Sequence, residues 1–243
     1  MSQNIDAGGR YTDTGNLLQI EYARKAAGKG NTALGIRFAG GVLLAVEKQT
    51  TSKIVDIAAC QSISALSETY ALLYSGMAHD NNVIVHLLRQ HAQEMLTDSD
   101  RELNESEITQ MLRHYLMYFS AHMNTRAIGC EFLLSSGANG KLALLHADPS
   151  GAINQCRAYA IGSNAQAAKT ELEKIDFASF SLDDAIRCAT RVFHLSRDTM
   201  AEGPFVLEMM YVSRDEGYAQ KSVDPGLIHQ YASEYSDVSM HSE

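Results

Sequence analysis

The stretch Asn16-Leu17-Leu18-Gln19-Ile20-Glu21-Tyr22-Ala23-Arg24-Lys25-Ala26-Ala27-Gly28-Lys29-Gly30-Asn31-Thr32-Ala33-Leu34-Gly35 decides how the rest of the chain is arranged. Its first half reads as a helix. Leu17, Ile20, Tyr22–Ala23 and Ala26–Ala27 recur near helical spacing among good helix formers. Thr12, Asp13 and Thr14 offer capping oxygens ahead of it, and Gly28 and Gly30 end it. Thr32 to Phe38 then opens the first strand. A helix therefore precedes that strand, which does not begin at a free terminus.

Working outward, 243 residues with 45% hydrophobic content suffice for one large core, and nothing divides them in two. We expect a single domain over residues 1–243. Residues 1–10, polar and without periodicity, are expected as a mobile arm, and residues 233–243 as a disordered acidic tail. No apolar run approaches the ~20 residues that cross a bilayer, and no charged-then-apolar secretory signal opens the chain. A net charge of −9 argues against nucleic acid as a partner, because phosphate binding needs surplus Lys and Arg. Cys60, Cys130, Cys156 and Cys188 form no Cys-x-x-Cys pair, so they read as reduced and mostly buried, in a cytosolic or nuclear protein.

In chain order, Thr32–Phe38 and Val42–Val46 form a hairpin across Ala39-Gly40-Gly41. The mixed region Ile54–Leu66 leaves room for short strands, and Tyr70–Tyr74 is a buried strand ending at Ser75-Gly76. Two long amphipathic helices follow. One carries Val83, Ile84, Leu87, Leu88, His91 and Met95; the other carries Ile108, Met111, Leu112, Tyr115, Phe119 and Met123, behind a capping box of Asn104 and Glu107. Phe132–Ser135 and Leu142–His146 make another hairpin. Asp148-Pro149-Ser150-Gly151 is a tight turn leading into a strand over Ala152–Tyr159. Capping boxes at Ser163/Gln166 and Ser181/Asp184 begin two more helices, and Val206–Val212 is the last clear strand. Hairpin strands with helices in pairs predict an α+β fold: a four-layer α-β-β-α sandwich of two antiparallel sheets flanked by helix pairs, with an extra N-terminal helix.

Catalytic motifs are scarce. The nine histidines show no His-Glu-x-x-His or other ligand spacing, so no metal site is expected. Thr97–Asn104 has Leu103 where a calcium loop needs Gly. No Gly-x-Ser-x-Gly or phosphate-cradling loop occurs, so no cofactor is expected. One chemistry suits the four-layer fold: an N-terminal Thr, Ser or Cys whose own amine is the base. Thr32 begins the right strand but has thirty-one residues ahead of it. Only cleavage before Asn31 or Thr32 exposes an amine, and the Leu17–Ala27 helix makes a poor propeptide.

Asn16-Leu-Leu-Gln-Ile-Glu-Tyr-Ala23, preceded by Gly15, resembles the signature of proteasome α-type subunits, Gly-Arg-Leu-x-Gln-Val-Glu-Tyr-Ala after Phe-Ser-Pro. The likeness continues through Lys29–Gly35, Gly41–Lys48, Ser75-Gly76-Met77, Leu145–Gly151 and Ala160–Ser163, and so covers roughly Tyr11 to Val212. Gln155-Cys156 is similar to the α5 type and Ser75-Gly76-Met77 to the α2 type. The resemblance implies a non-catalytic ring subunit of the proteasome core particle, not an enzyme. Its implied partners are other α subunits in a seven-membered ring, β subunits carrying the threonines, and regulatory ATPases or other activators. Neither nucleic acid nor membrane is implied, and the implied setting is ubiquitin-dependent protein degradation in cytoplasm and nucleus. Against β subunits, the nucleophile position falls near Asn31, the acid at Glu47 and the activating lysine at Ser62 or Ile63, neither of which is cationic. The alternative is a self-processing threonine peptidase of the same fold.

The resemblance also implies site residues. Tyr11, Asp13, Gly15, Gln19, Glu21 and Tyr22 fall at the gate and ring surface. Ser62, Gly76 and Met77 fall at the activator pocket, with Ser62 where several α subunits carry a lysine. Asp148, Pro149 and Gly151 form the structural turn. The family's Tyr-Asp-Arg is missing from Asn4–Arg10, and its Phe-Ser-Pro is replaced by Tyr11-Thr12-Asp13, without the stiffening proline.

Overall fold

The computed structural model describes residues 11–49, 54–57, 59–122, 124–197 and 203–238. Their apolar runs form two antiparallel sheets of five strands. The first sheet holds β1 (Ala33–Phe38), β2 (Gly41–Gln49), β8 (Ala158–Ile161), β9 (Phe205–Ser213) and β10 (Gln220–Ser222), in the order β10-β9-β2-β1-β8. The second holds β3 (Ile63–Ala65), β4 (Tyr70–Gly76), β5 (Cys130–Ser136), β6 (Ala143–Ala147) and β7 (Ile153–Cys156), in sequence order.

Strand alternation explains the layers. Ala33, Val42, Leu44 and Val46 point inward and meet Ala71, Leu73, Leu133 and Leu144 of the other sheet. Leu34, Ile36, Leu43 and Ala45 point outward beneath α4 (Ala165–Leu172), α5 (Leu182–Ser196) and α6 (Pro225–Val238). On the opposite outer face, Leu72, Phe132 and Leu134 pack under α2 (Ala78–Ser99) and α3 (Glu105–Ala121) through Ile84, Leu88, Ile108 and Leu112. β2 reads as a continuous apolar run because both its faces are covered. The architecture is the predicted four-layer α-β-β-α sandwich, with helix α1 (Leu18–Ala27) across one end.

Several local readings change. The residue before α1 is Leu17, with no side-chain cap; Thr12 instead closes the turn ahead of the helix. The single strand expected over Ala152–Tyr159 divides at Arg157. β7 pairs with β6 in the second sheet, and β8 pairs with β1 in the first, so one segment passes between sheets. The capping boxes at Asn104/Glu107 and Ser181/Asp184 form, whereas α4 starts after Asn164 without a side-chain cap. The Ser163 hydroxyl lies 3.2 Å from that of Thr32 instead. Cys130 and Cys188 are buried, but Cys60 is exposed and Cys156 half-buried.

β10 and α6 had no clear signal in the sequence. Pro225 suits the first turn of α6, the Asp224 carboxylate accepts from Gly226 N at 3.1 Å, and Ile228 and Tyr231 bury against the first core. Arg187 of α5 covers the Tyr231 ring at 4.8 Å, and the Tyr231 hydroxyl donates to Asp183. So anchored, α6 continues to Val238, and the tail expected to begin disordered at Ser233 is helical over residues 233–238. Residues 239–243, the expected arm 1–10 and Met123 lie outside the described residues.

Candidate functional site

Helix α1 lies on the second sheet through Leu17, Ile20 and Ala23, which meet Ala127 just ahead of β5. Thr12 N donates to Asn16 O at 2.9 Å, Gly15 N to Thr12 O at 2.8 Å, and Asn16 N to the Thr12 hydroxyl at 3.0 Å. Gly15 takes φ +80°, which glycine adopts without strain. A single antiparallel bridge from Tyr11 to Leu17 completes this turn, so a threonine hydroxyl closes it in the absence of proline. Tyr11, Asp13 and Gly15 are exposed, Gln19 and Glu21 half-buried, and Tyr22 exposed with Lys25 Nζ 5.9 Å from its ring centre.

An ion pair fixes the outer side of α1. Arg24 Nη2 lies 2.7 Å from Asp148 Oδ2, joining the helix to the turn between β6 and β7. Asp148 also accepts from Ser150 N at 2.8 Å, Pro149 sits within the turn, and Gly151 closes it at φ +83°. Burial pushes the Asp148 carboxyl upward, but the bonds from Ser150 and Arg24 outweigh it and hold it below the ordinary aspartate value. The predicted structural turn is thus also an anchor for α1.

Where α1 runs into β1, backbones touch. A Cβ on Gly30 would lie 2.1 Å from Gly76 N; one on Gly76 would lie 2.1 Å from Gly129 O. Gly76 has φ +127°. Ser75 Oγ donates to Ala27 O at 3.1 Å and to Asn31 O at 2.9 Å, and Ser163 N donates to Gly30 O at 3.1 Å. The segment ahead of β1 is therefore bonded to the ends of β4 and β8.

Thr32 is 2% exposed. Its hydroxyl accepts from Asn164 N at 3.3 Å beside Ser163, and its nitrogen is in peptide linkage to the exposed Asn31. Glu47, 1% exposed, is paired with Arg197 Nε at 3.0 Å. Lys48, also buried, lies 3.2 Å from Glu208 and donates to Cys60 O at 2.8 Å. Glu208 in turn accepts from Ser62 N at 2.9 Å and Ile63 N at 3.3 Å. Lys48, which shares Glu208 with the Ser62 nitrogen, is thus committed to a carboxylate. Burial pushes the Cys130 thiol up to about 12 and that of Cys188 up to about 11, which leaves neither as a thiolate at neutral pH.

Gly76 ends β4 and Met77, 47% exposed, precedes α2; Ser62 lies one residue before Ile63, which pairs with Leu73 of β4. All three sit toward the same end of the second sheet. Beside them, Arg126 grips Asp80 with Nη1 at 2.5 Å and Nη2 at 2.6 Å, and Gly129 N adds a bond at 2.8 Å. Burial pushes Asp80 up, yet these bonds draw it net below the ordinary carboxylate value. Nothing local in the sequence marks Arg126 for this role. Its partner is 46 residues away, and Arg24 and Asp148 are 124 apart, so neither pair leaves a local signal.

Fold and site together define a two-sheet sandwich in which the threonine at the head of β1 is buried and its charged neighbours Glu47 and Lys48 are paired. The proteasome subunit family model matches residues 27–212. The protein named Probable proteasome subunit alpha type-7 of Encephalitozoon cuniculi (strain GB-M1) is 27% identical over 98% of both chains. Proteasome subunit alpha type-2 of Oryza sativa subsp. indica is 34% identical over 74% of this chain and 76% of its own. Proteasome subunit alpha type-3 of Acanthamoeba castellanii is 28% identical over 96% of this chain and 92% of its own. The chain belongs to the proteasome subunit family, and it is of the α type.

Proposed function

We propose that this chain is a non-catalytic α-ring subunit of the proteasome core particle, scaffolding the barrel while partner β subunits hydrolyse peptide bonds. The observation that carries the reading is Thr32: buried, peptide-bonded to Asn31, with its hydroxyl taken up beside Ser163 and Asn164. A threonine nucleophile needs a free amine and an approach for substrate, and Thr32 has neither. The self-processing peptidase is accordingly disfavoured.

On this reading its partners are the other α subunits of a seven-membered ring, the β subunits beneath them, and regulatory ATPases or other activators. Tyr11, Asp13, Gly15, Gln19, Glu21 and Tyr22 belong to the ring surface and gate. Ser62, Gly76 and Met77 form an activator pocket that lacks a lysine. The chain acts in ubiquitin-dependent protein degradation in cytoplasm and nucleus as one domain. Native mass spectrometry of complexes purified through this chain tests the proposal. Particles containing both α and β partners are the expected result; the chain alone, or without one partner class, overturns it.

A further inference from the structure

At the end of the sandwich away from α1, a cavity of about 900 Å³ opens among the turns. Arg37, Lys141, Arg157 and Arg214 line it, together with the carboxylates Glu105 and Asp176. Its position follows from the fold. Arg37 is the exposed residue near the end of β1, Lys141 follows the turn after β5, Arg157 sits where the chain crosses between sheets, and Arg214 follows β9. All four cations are exposed, and none makes an ion pair with a described residue. Arg37 N donates to Arg157 O at 2.7 Å, which sets two arginines on adjacent backbones. Like charges so placed repel unless a counter-charge is supplied.

We propose that this cavity is a docking site for an acidic segment of a partner subunit. This rests on the reading of the chain as a ring subunit. The chain as a whole carries a net charge of −9, so four unpaired cations in one cavity are a local reversal that complements an acidic partner. The two carboxylates in the lining break the positive field. Mixed lining suits a segment with separate carboxylates better than a dense polyphosphate, whose oxygens Glu105 and Asp176 repel. Asp176 is itself held in place, since its Oδ1 accepts from Ala178 N at 3.1 Å.

Carbodiimide cross-linking of the purified, assembled particle tests this at the Lys141 amine. The expected result is an amide between Lys141 and an Asp or Glu of another subunit, lost when the reaction is run in 1 M NaCl, where the Debye length is about 3 Å. Arg157→Glu with Arg214→Glu should cut incorporation of the chain into particles at least fivefold, while Arg157→Lys with Arg214→Lys restores it. Lys141 that acetylates freely in the particle and forms no inter-subunit amide overturns the proposal. Lys141 shielded only on adding inorganic tripolyphosphate overturns it in favour of a phosphate ligand. A chain recovered only outside particles overturns the subunit reading and this proposal together.

Discussion

The two ends of the sandwich are built on opposite plans. At the α1 end four ion pairs tie segments together: Arg24 with Asp148, Arg126 with Asp80, Arg197 with Glu47, and Lys48 with Glu208. Backbones there are separated by glycines with no space for a side chain. At the far end Arg37, Lys141, Arg157 and Arg214 face an open cavity without ion-pair partners among the described residues. The closed end is where a catalytic relative would present its nucleophile, so matching and close packing there remove a site. The open end carries cations that no described residue pairs with, beside the carboxylates of Glu105 and Asp176.

The comparison breaks first if the glycine contacts are dispensable. Gly76→Ala adds a Cβ 2.1 Å from Gly129 O at a φ of +127°, so it should cost more than about 4 kcal/mol, read as loss of soluble chain or a collapsed urea midpoint. Near wild-type stability would show that α1 and β4 are not locked together there.

Next in size is Asp80→Asn. The Asp80 side chain is 3% exposed and that of Arg126 53%, so breaking this pair should cost about 2–3 kcal/mol, below the range for fully buried pairs. Because Asp80 titrates below its ordinary 3.8 in the folded chain, its stabilisation is complete above that value and is lost as pH falls through the lower folded value. The gap between wild type and Asp80→Asn in urea titrations should therefore narrow below about pH 4. A gap that stays constant into acid would contradict the pairing.

Thr32→Ala removes one hydroxyl with two contacts and should cost about 1 kcal/mol, leaving peptide hydrolysis by the particle unchanged. Loss of one peptidase activity would make Thr32 a nucleophile. The smallest effect belongs to Ser62→Ala, because it is the Ser62 backbone nitrogen, not its side chain, that binds Glu208. Activator affinity should stay within about twofold, or about 0.4 kcal/mol; a large loss would place a side-chain contact at that position.

The sequence made the layers legible because the long elements have one clear period each. β2 is apolar throughout, and α5 has both a helical stripe and a Ser181–Asp184 box. The passage from β7 to β8 was hidden because Asn154-Gln155-Cys156-Arg157 contains neither Gly nor Pro to mark a change of sheet. Gly76 and Met77 were singled out through resemblance, whereas the Asp148 turn was legible from its Pro149 and Gly151. The ion pairs that hold them join distant segments, and no local pattern encodes such contacts. The basic cavity was likewise invisible, since its four cations are spread from Arg37 to Arg214 and meet only in the fold.

The central claim is that α1 remains attached ahead of Thr32 in the working particle. Intact-mass measurement of this chain, taken from particles that hydrolyse peptides, tests it most directly. The account predicts a mass that includes Leu18–Ala27 continuous with Thr32. A chain beginning at Asn31 or Thr32 would contradict it.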